Sequence, residues 1–148
     1  MQKQRGLPPS QVAAILERDL RDNKYILTGQ LTRSVFSDGC RFVDPNNAVD
    51  GLSKYTQALS LLFRPEQSTL EGVSVAVKSD RSGGSPVIIE ADYTASGVLK
   101  LPWSPKIEPW AGHITYTLDA DGLVVSQVDV WNITRWDAVR QTFTPHTS

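Results

Sequence analysis

The sequence predicts an α+β domain in which a curved antiparallel sheet wraps around N-terminal helices to form a cone with an internal recess. Three observations carry this. Apolar residues recur at helical spacing early in the chain, at Val12, Ile15, Leu16 and Leu20 and again at Leu52, Tyr55, Leu59, Leu62 and Phe63. Segments of strand-like composition then follow one another, Thr69 to Lys78, Val87 to Leu99, Gly112 to Leu118 and Leu123 to Asn132. Helices first and strands afterwards is the order of a layered α+β domain, and 148 residues suit a single core. The domain is expected over residues 10–143, with 1–9 and 144–148 as flexible tails.

Each element has a local reason. Pro8-Pro9-Ser10 sets up the first helix, Asn23 is a stop, and Glu17, Arg18, Asp19 and Arg21 are expected on its solvated face. Leu31 to Phe36 reads as a short helical piece. Cys40-Arg-Phe-Val-Asp44-Pro45 reads as a short strand that delivers a carboxylate to its end and then bends. Asp50 is placed to cap the next helix, which Pro65 ends. Asp80 to Gly84 and Asp119-Ala-Asp-Gly122 are turn sequences that make successive strands antiparallel. Leu101 to Pro109, with its prolines and Trp103, reads as a stiff apolar arm, and a last helix is expected at about Thr134 to Phe143.

Composition narrows the function classes. Fifteen basic residues against sixteen acidic ones leave a net charge of −1, without the basic excess that nucleic-acid binding requires. No apolar run is long enough to span a bilayer. Cys40 is the one cysteine, so no internal disulfide can form and an intracellular reducing compartment fits; its expected role is that of a small buried hydrophobe. His113 and His146 are the only histidines and lack ligand spacing, and no Gly-x-Ser-x-Gly turn is present, so neither a metal nor a cofactor is expected.

The chemistry-bearing candidates are carboxylates and aromatic rings. Asp44 stands at an element boundary, where it is either a proton-transfer group at the mouth of the recess or a turn residue. On the last strand Gln127, Asp129 and Trp131 share one face and Val128 and Val130 the other. Alternation alone leaves open which face is inward. With the first face inward, Asp129 and Asp44 would form a pair whose repulsion raises one pKa. Trp103 and Trp110 bracket the proline-rich arm, either as a lid over an apolar ligand or as a clamp of the arm onto its own sheet.

The order helix, helix, strand ending in Asp44-Pro45, helix, then antiparallel strands resembles the nuclear transport factor 2-like superfamily, which includes ketosteroid isomerase, scytalone dehydratase and the SnoaL-like polyketide cyclases. Leu27-Thr28-Gly29-Gln30-Leu31, Leu101-Pro102-Trp103-Ser104-Pro105 and Tyr116-Thr117-Leu118-Asp119 are similar to a plant and cyanobacterial branch of it, which implies a plastid stroma or a cyanobacterial cytoplasm. The resemblance gives Asp44 the position of the isomerase's general base and Trp131 that of a cavity tryptophan. It also places Ile114 and Leu20 where the isomerase has its oxyanion donors, which argues against steroid isomerisation.

Three functions follow as expectations. The first is a non-catalytic pocket for a small apolar molecule, lined by Phe42, Tyr55, Trp103, Trp110, Ile114, Tyr116, Gln127 and Trp131, with Asp44 as polar anchor. The second is a cofactor-independent isomerase, cyclase or dehydratase using Asp44 and Asp129. The third is an assembly scaffold, a homodimer through the sheet face. A deep cavity holding both carboxylates separates the second from a recess filled by Phe42 and Tyr55, which would favour the scaffold.

Overall fold

In the computed structural model, residues 2–80 and 84–132 are described. Three helices, α1 (Pro9–Arg21), α2 (Tyr25–Thr28) and α3 (Leu52–Ser60), accompany strands β1 (Phe36–Val43), β2 (Ala48–Asp50), β3 (Thr69–Ser79), β4 (Val87–Val98), β5 (Lys106–Leu118) and β6 (Val124–Trp131). The strands form a six-stranded sheet in the order β2-β1-β6-β5-β4-β3. Its neighbours pair antiparallel except β1 and β6, which run parallel, so the sheet is mixed where an antiparallel one was expected. The expected last helix, with Trp136, and His146 lie outside the described residues.

Proline at the first position of α1 costs no hydrogen bond, because that N–H has no helical partner in any case. The helix lies on β3 and β4 and buries Val12, Leu16 and Leu20 completely. Asp19, expected in solvent, is instead fully buried. Its Oδ2 accepts from the Thr32 backbone N–H at 2.7 Å and its Oδ1 from the Thr32 hydroxyl at 3.0 Å, so this carboxylate ties α1 to the chain entering β1. The segment ahead of α1 is also tied down, by Gln4 N–H to the Ser34 carbonyl at 2.9 Å and Gly6 N–H to the Asp121 carbonyl at 2.8 Å.

Other departures have equally local causes. The short helical piece after α2 is a single 3-10 turn, Arg33–Val35, and β1 begins at Phe36 rather than near Cys40. Asp50 does not cap α3. It closes β2 directly opposite Arg41, whose guanidinium bonds both its oxygens at 2.9 Å, and Gly51 takes the cap position without a side-chain bond. The proline arm is shorter than expected because β5 starts at Lys106 and runs through Pro109. Pairing passes from Gly97↔Ile107 to Ala95↔Trp110, so Glu108 and Pro109 oppose Ser96 alone. A bulge of this kind tolerates a residue without an N–H and increases the local twist.

The expected turn after β5 forms as read. Gly122 adopts φ +83°, and Asp119 Oδ1 accepts from the N–H groups of Asp121 at 2.9 Å and Leu123 at 3.0 Å. No helix among the described residues is long and apolar enough to cross a membrane.

The core fills one end of the space between helices and sheet. Tyr25, Phe36, Leu16, Leu20, Ile114 and Tyr116 are among its fully buried side chains. Among the described residues the other end is left open. Only Leu52 of α3 is buried, because the rest of that helix's apolar face looks into a recess instead of a packed layer.

Candidate functional site

The recess has a volume of about 240 Å³ and is bounded by α2, α3, the β1–β2 turn and the inner faces of β4, β5 and β6. Alternation along β5 explains why it opens where it does. Tyr116 and Ile114 point inward and are fully buried, Gly112 supplies no side chain, and Trp110 then lines the recess. The missing side chain at Gly112 is filled by its cross-strand neighbour Tyr93, whose ring lies where a Cβ would stand, at 2.1 Å from Cζ. The Tyr93 hydroxyl thereby crosses β5 and donates to Asp129 Oδ2 on β6 at 2.6 Å. Gly97 does the same for Phe63, whose ring a Cβ there would meet at 2.6 Å, and Phe63 forms a further part of the wall.

Asp129 is 8% exposed, while Val128 and Val130 are 37% and 54% exposed on the opposite face of β6. The polar face is therefore the inward one. Burial drives the Asp129 carboxyl up to about 7; hydrogen bonding by Tyr93 and the nearby Trp131 N–H oppose the rise, the Asp44 charge adds to it, and His113 beyond the sheet works against it. Neither Asp129 Oδ1 nor Trp131 Nε1 has a hydrogen-bond partner among the described residues.

Asp44 is a turn residue that also borders the recess. Its Oδ1 accepts from the N–H groups of Asn46 and Asn47, each at 2.8 Å, and so shapes the β1–β2 turn. The residue also lines the recess, where burial raises its pKa against those two backbone donors.

Tyr55 forms the floor between the main recess and a small side pocket of about 30 Å³ that touches Phe42, Gln127 and both carboxylates. It stacks on Phe42 with ring centroids 3.7 Å apart. Its hydroxyl accepts from Gln127 Nε2 at 3.1 Å, Gln127 Oε1 accepts from Tyr25 at 2.8 Å, and Tyr25 in turn bonds Tyr116. This buried chain orients the Tyr55 hydroxyl and leaves its own proton without an acceptor among the described residues. Burial raises the Tyr55 pKa well above its usual value, so the group is a neutral donor.

Of the residues singled out in the sequence, the structure brings Asp44, Asp129, Tyr55, Trp110 and Trp131 together in the recess, with Phe42 and Gln127 beneath. Ile114 and Tyr116 belong to the packed core, because they lie deeper along β5 than Gly112. Trp103 is 40% exposed in the turn between β4 and β5 and lines neither pocket. Cys40 is buried, with its thiol pushed up to about 12 by desolvation. Tyr93 was missed by sequence reasoning; its signal was the glycine in the middle of β5, since mid-strand glycine marks close approach of another group.

Residues 10–127 match the family described as "Uncharacterized conserved protein (DUF2358)". The chain belongs to that family. No curated protein matches the sequence. Solved structures share the fold at low identity. A candidate polyketide cyclase of Pseudomonas putida KT2440 is 13% identical over 92% of this chain and 98% of that one, with a TM-score of 0.61. Another, from Xanthomonas campestris pv. campestris, is 13% identical over 88% of this chain and 94% of that one, at 0.59. A nuclear transport factor 2-like superfamily protein of Salmonella enterica is 15% identical over 82% and 88%, at 0.57. The DUF2358 chain thus has the nuclear transport factor 2-like fold.

Proposed function

We propose that this DUF2358 protein holds a small, largely apolar molecule in the recess and that Asp129, assisted by Asp44, exchanges a proton with it, as a cofactor-independent isomerase, cyclase or dehydratase would. The observation that carries this is an apolar recess containing both carboxylates, one of them titrating at about 7. A general acid or base works best with a pKa near the ambient pH. In such a step a C–H bond next to a carbonyl breaks, its proton passes to Asp129, and the electron pair delocalises onto the carbonyl oxygen. The Tyr55 hydroxyl, whose proton is unspent, is the donor suited to that oxygen. The proton then returns to a different carbon. Binding without chemistry, with Asp44 as anchor, uses the same recess but leaves Asp129 idle.

Deuterium uptake next to the carbonyl of small cyclic ketones in D₂O separates the two. Proton exchange predicts uptake faster than in buffer, a rate that rises with pH to a plateau above about 7 as Asp129 ionises, and loss of that rate in Asp129→Asn. Ketones that bind without exchange in the wild type would leave the non-catalytic pocket as the function.

The scaffold reading keeps one observation of its own. Val128 and Val130 are exposed side by side on the outer face of β6, opposite Thr115 and His113 of β5. We propose that this face supports a homodimer. Light scattering at high protein concentration is expected to give twice the chain mass, and Val130→Lys half of that; a monomeric wild type would dismiss the proposal. A plastid or cyanobacterial setting is proposed on the sequence resemblance alone.

A further inference from the structure

We propose that the molecule taken by the recess is an organic cation, a protonated or quaternary amine with an apolar body. This rests on the reading of the recess as a small-molecule site and names the ligand's chemical class. Among the described residues, the lining joins aromatic rings to carboxylates and includes no lysine, arginine or histidine. Trp110 and Trp131 stand with ring centroids 5.9 Å apart and planes tilted by 55°, and Phe63 stacks with Trp110 at 6.4 Å. Tyr55 and Tyr93 add two further rings, the second bonded through its hydroxyl to Asp129. Indole and phenol faces are the negative ends of their quadrupoles, so rings set at an angle around one volume attract a cation, most strongly where water is excluded.

The carboxylates point the same way. Asp44 and Asp129 border one recess and repel each other, and among the groups facing Asp129 the phenols of Tyr93 and Tyr55 are neutral and His113 lies beyond the sheet. A neutral apolar occupant would strip more water from both acids without compensating their charge. An anion would add a third like charge. A cation offsets both penalties and stabilises the charged form of Asp129, so that binding it drives the proton off this carboxyl.

Size-matched probe pairs test this. Choline is compared with the alcohol in which a tert-butyl group replaces its trimethylammonium head, and benzylammonium with benzyl alcohol, by calorimetry at about pH 7 in buffers of different ionisation heat. The expected result is binding of each cation at least about tenfold tighter than its neutral partner, the equivalent of about 1.4 kcal/mol. A fraction of a proton should be released per cation bound as Asp129 ionises, and both the preference and the release should fall in Asp129→Asn while the alcohols bind as before. Neutral partners that bind as tightly as the cations would overturn the charge assignment and leave the recess a small-molecule site. If neither member of either pair binds, the recess reading fails together with the inference.

Discussion

Replacing Asp129 by Asn stabilises the protein at about pH 8, by up to about 4 kcal/mol, and has little effect below about pH 4. An exposed aspartate titrates near about 3.9, whereas Asp129 does so at about 7. At roughly 1.4 kcal/mol per pH unit, holding the charged form inside the fold costs about 4 kcal/mol. The sign follows from which state keeps the proton. Between about pH 4 and 7 the folded chain binds it and the unfolded chain has released it, so the wild type loses stability as pH rises through that window. Below the window both states are protonated and the charge penalty is absent. Asparagine never ionises and its carbonyl still accepts from Tyr93, so the variant escapes the loss. Asp44, raised in the same direction, leaves the variant a residual slope. Urea denaturation across this range reads the difference directly; a variant less stable than wild type at about pH 8 would show that Asp129 is not held in a desolvated site.

A charge that weakens the fold at neutral pH supports the role proposed for Asp129 toward a ligand, because perturbed carboxylates cluster at functional sites. The packing of the neighbourhood agrees, since Tyr93, Tyr55 and Gln127 all direct polar atoms toward this end of the interior. The proton-exchange and cation-binding tests both read this same carboxylate.

How far the sequence shows this depends on the distance over which each decision is made. The helix α1, the glycine turn after β5 and the order of strands β3 to β6 follow from local patterns, and all formed. The inward face of β6 did not follow. Valines at 128 and 130 are the more apolar choice for a core, yet they face out, because the partners that make Gln127 and Asp129 tolerable inside are Tyr25, Tyr55 and Tyr93 from distant elements. Asp19 is the same lesson in miniature: its charge reads as surface until Thr32 is brought to it. The parallel pairing of β1 with β6 and the Arg41–Asp50 pair that removes the α3 cap likewise depend on register, which neither segment encodes alone. Ile114 and Tyr116 share the face of Trp110, so alternation could not tell which of the three stood in the recess and which in the core.

Gly112→Ala is the substitution expected to damage the site most. Its backbone is ordinary strand, so the methyl group adds no dihedral strain; the damage is steric, because that Cβ would stand 2.1 Å from Tyr93 Cζ and 2.2 Å from its hydroxyl. The ring must swing off β5. Overpacking of this kind costs about 1–3 kcal/mol, and losing the 2.6 Å bond to Asp129 removes the main group that holds the carboxyl's pKa down. Asp129 in the variant therefore titrates above about 7, and the displaced phenol falls into the recess that ligands would occupy. Tyr93→Phe separates the two effects. It keeps the ring over Gly112 and removes only the donor, so it shifts the titration upward with a smaller loss of stability, of about 1–2 kcal/mol. Tryptophan fluorescence against pH reads the midpoint, since Trp131 borders the carboxyl, and denaturant midpoints read the packing. An unshifted titration in both variants would mean that Tyr93 does not bond Asp129 in solution, and the site would lose the residue that links β4 to β6.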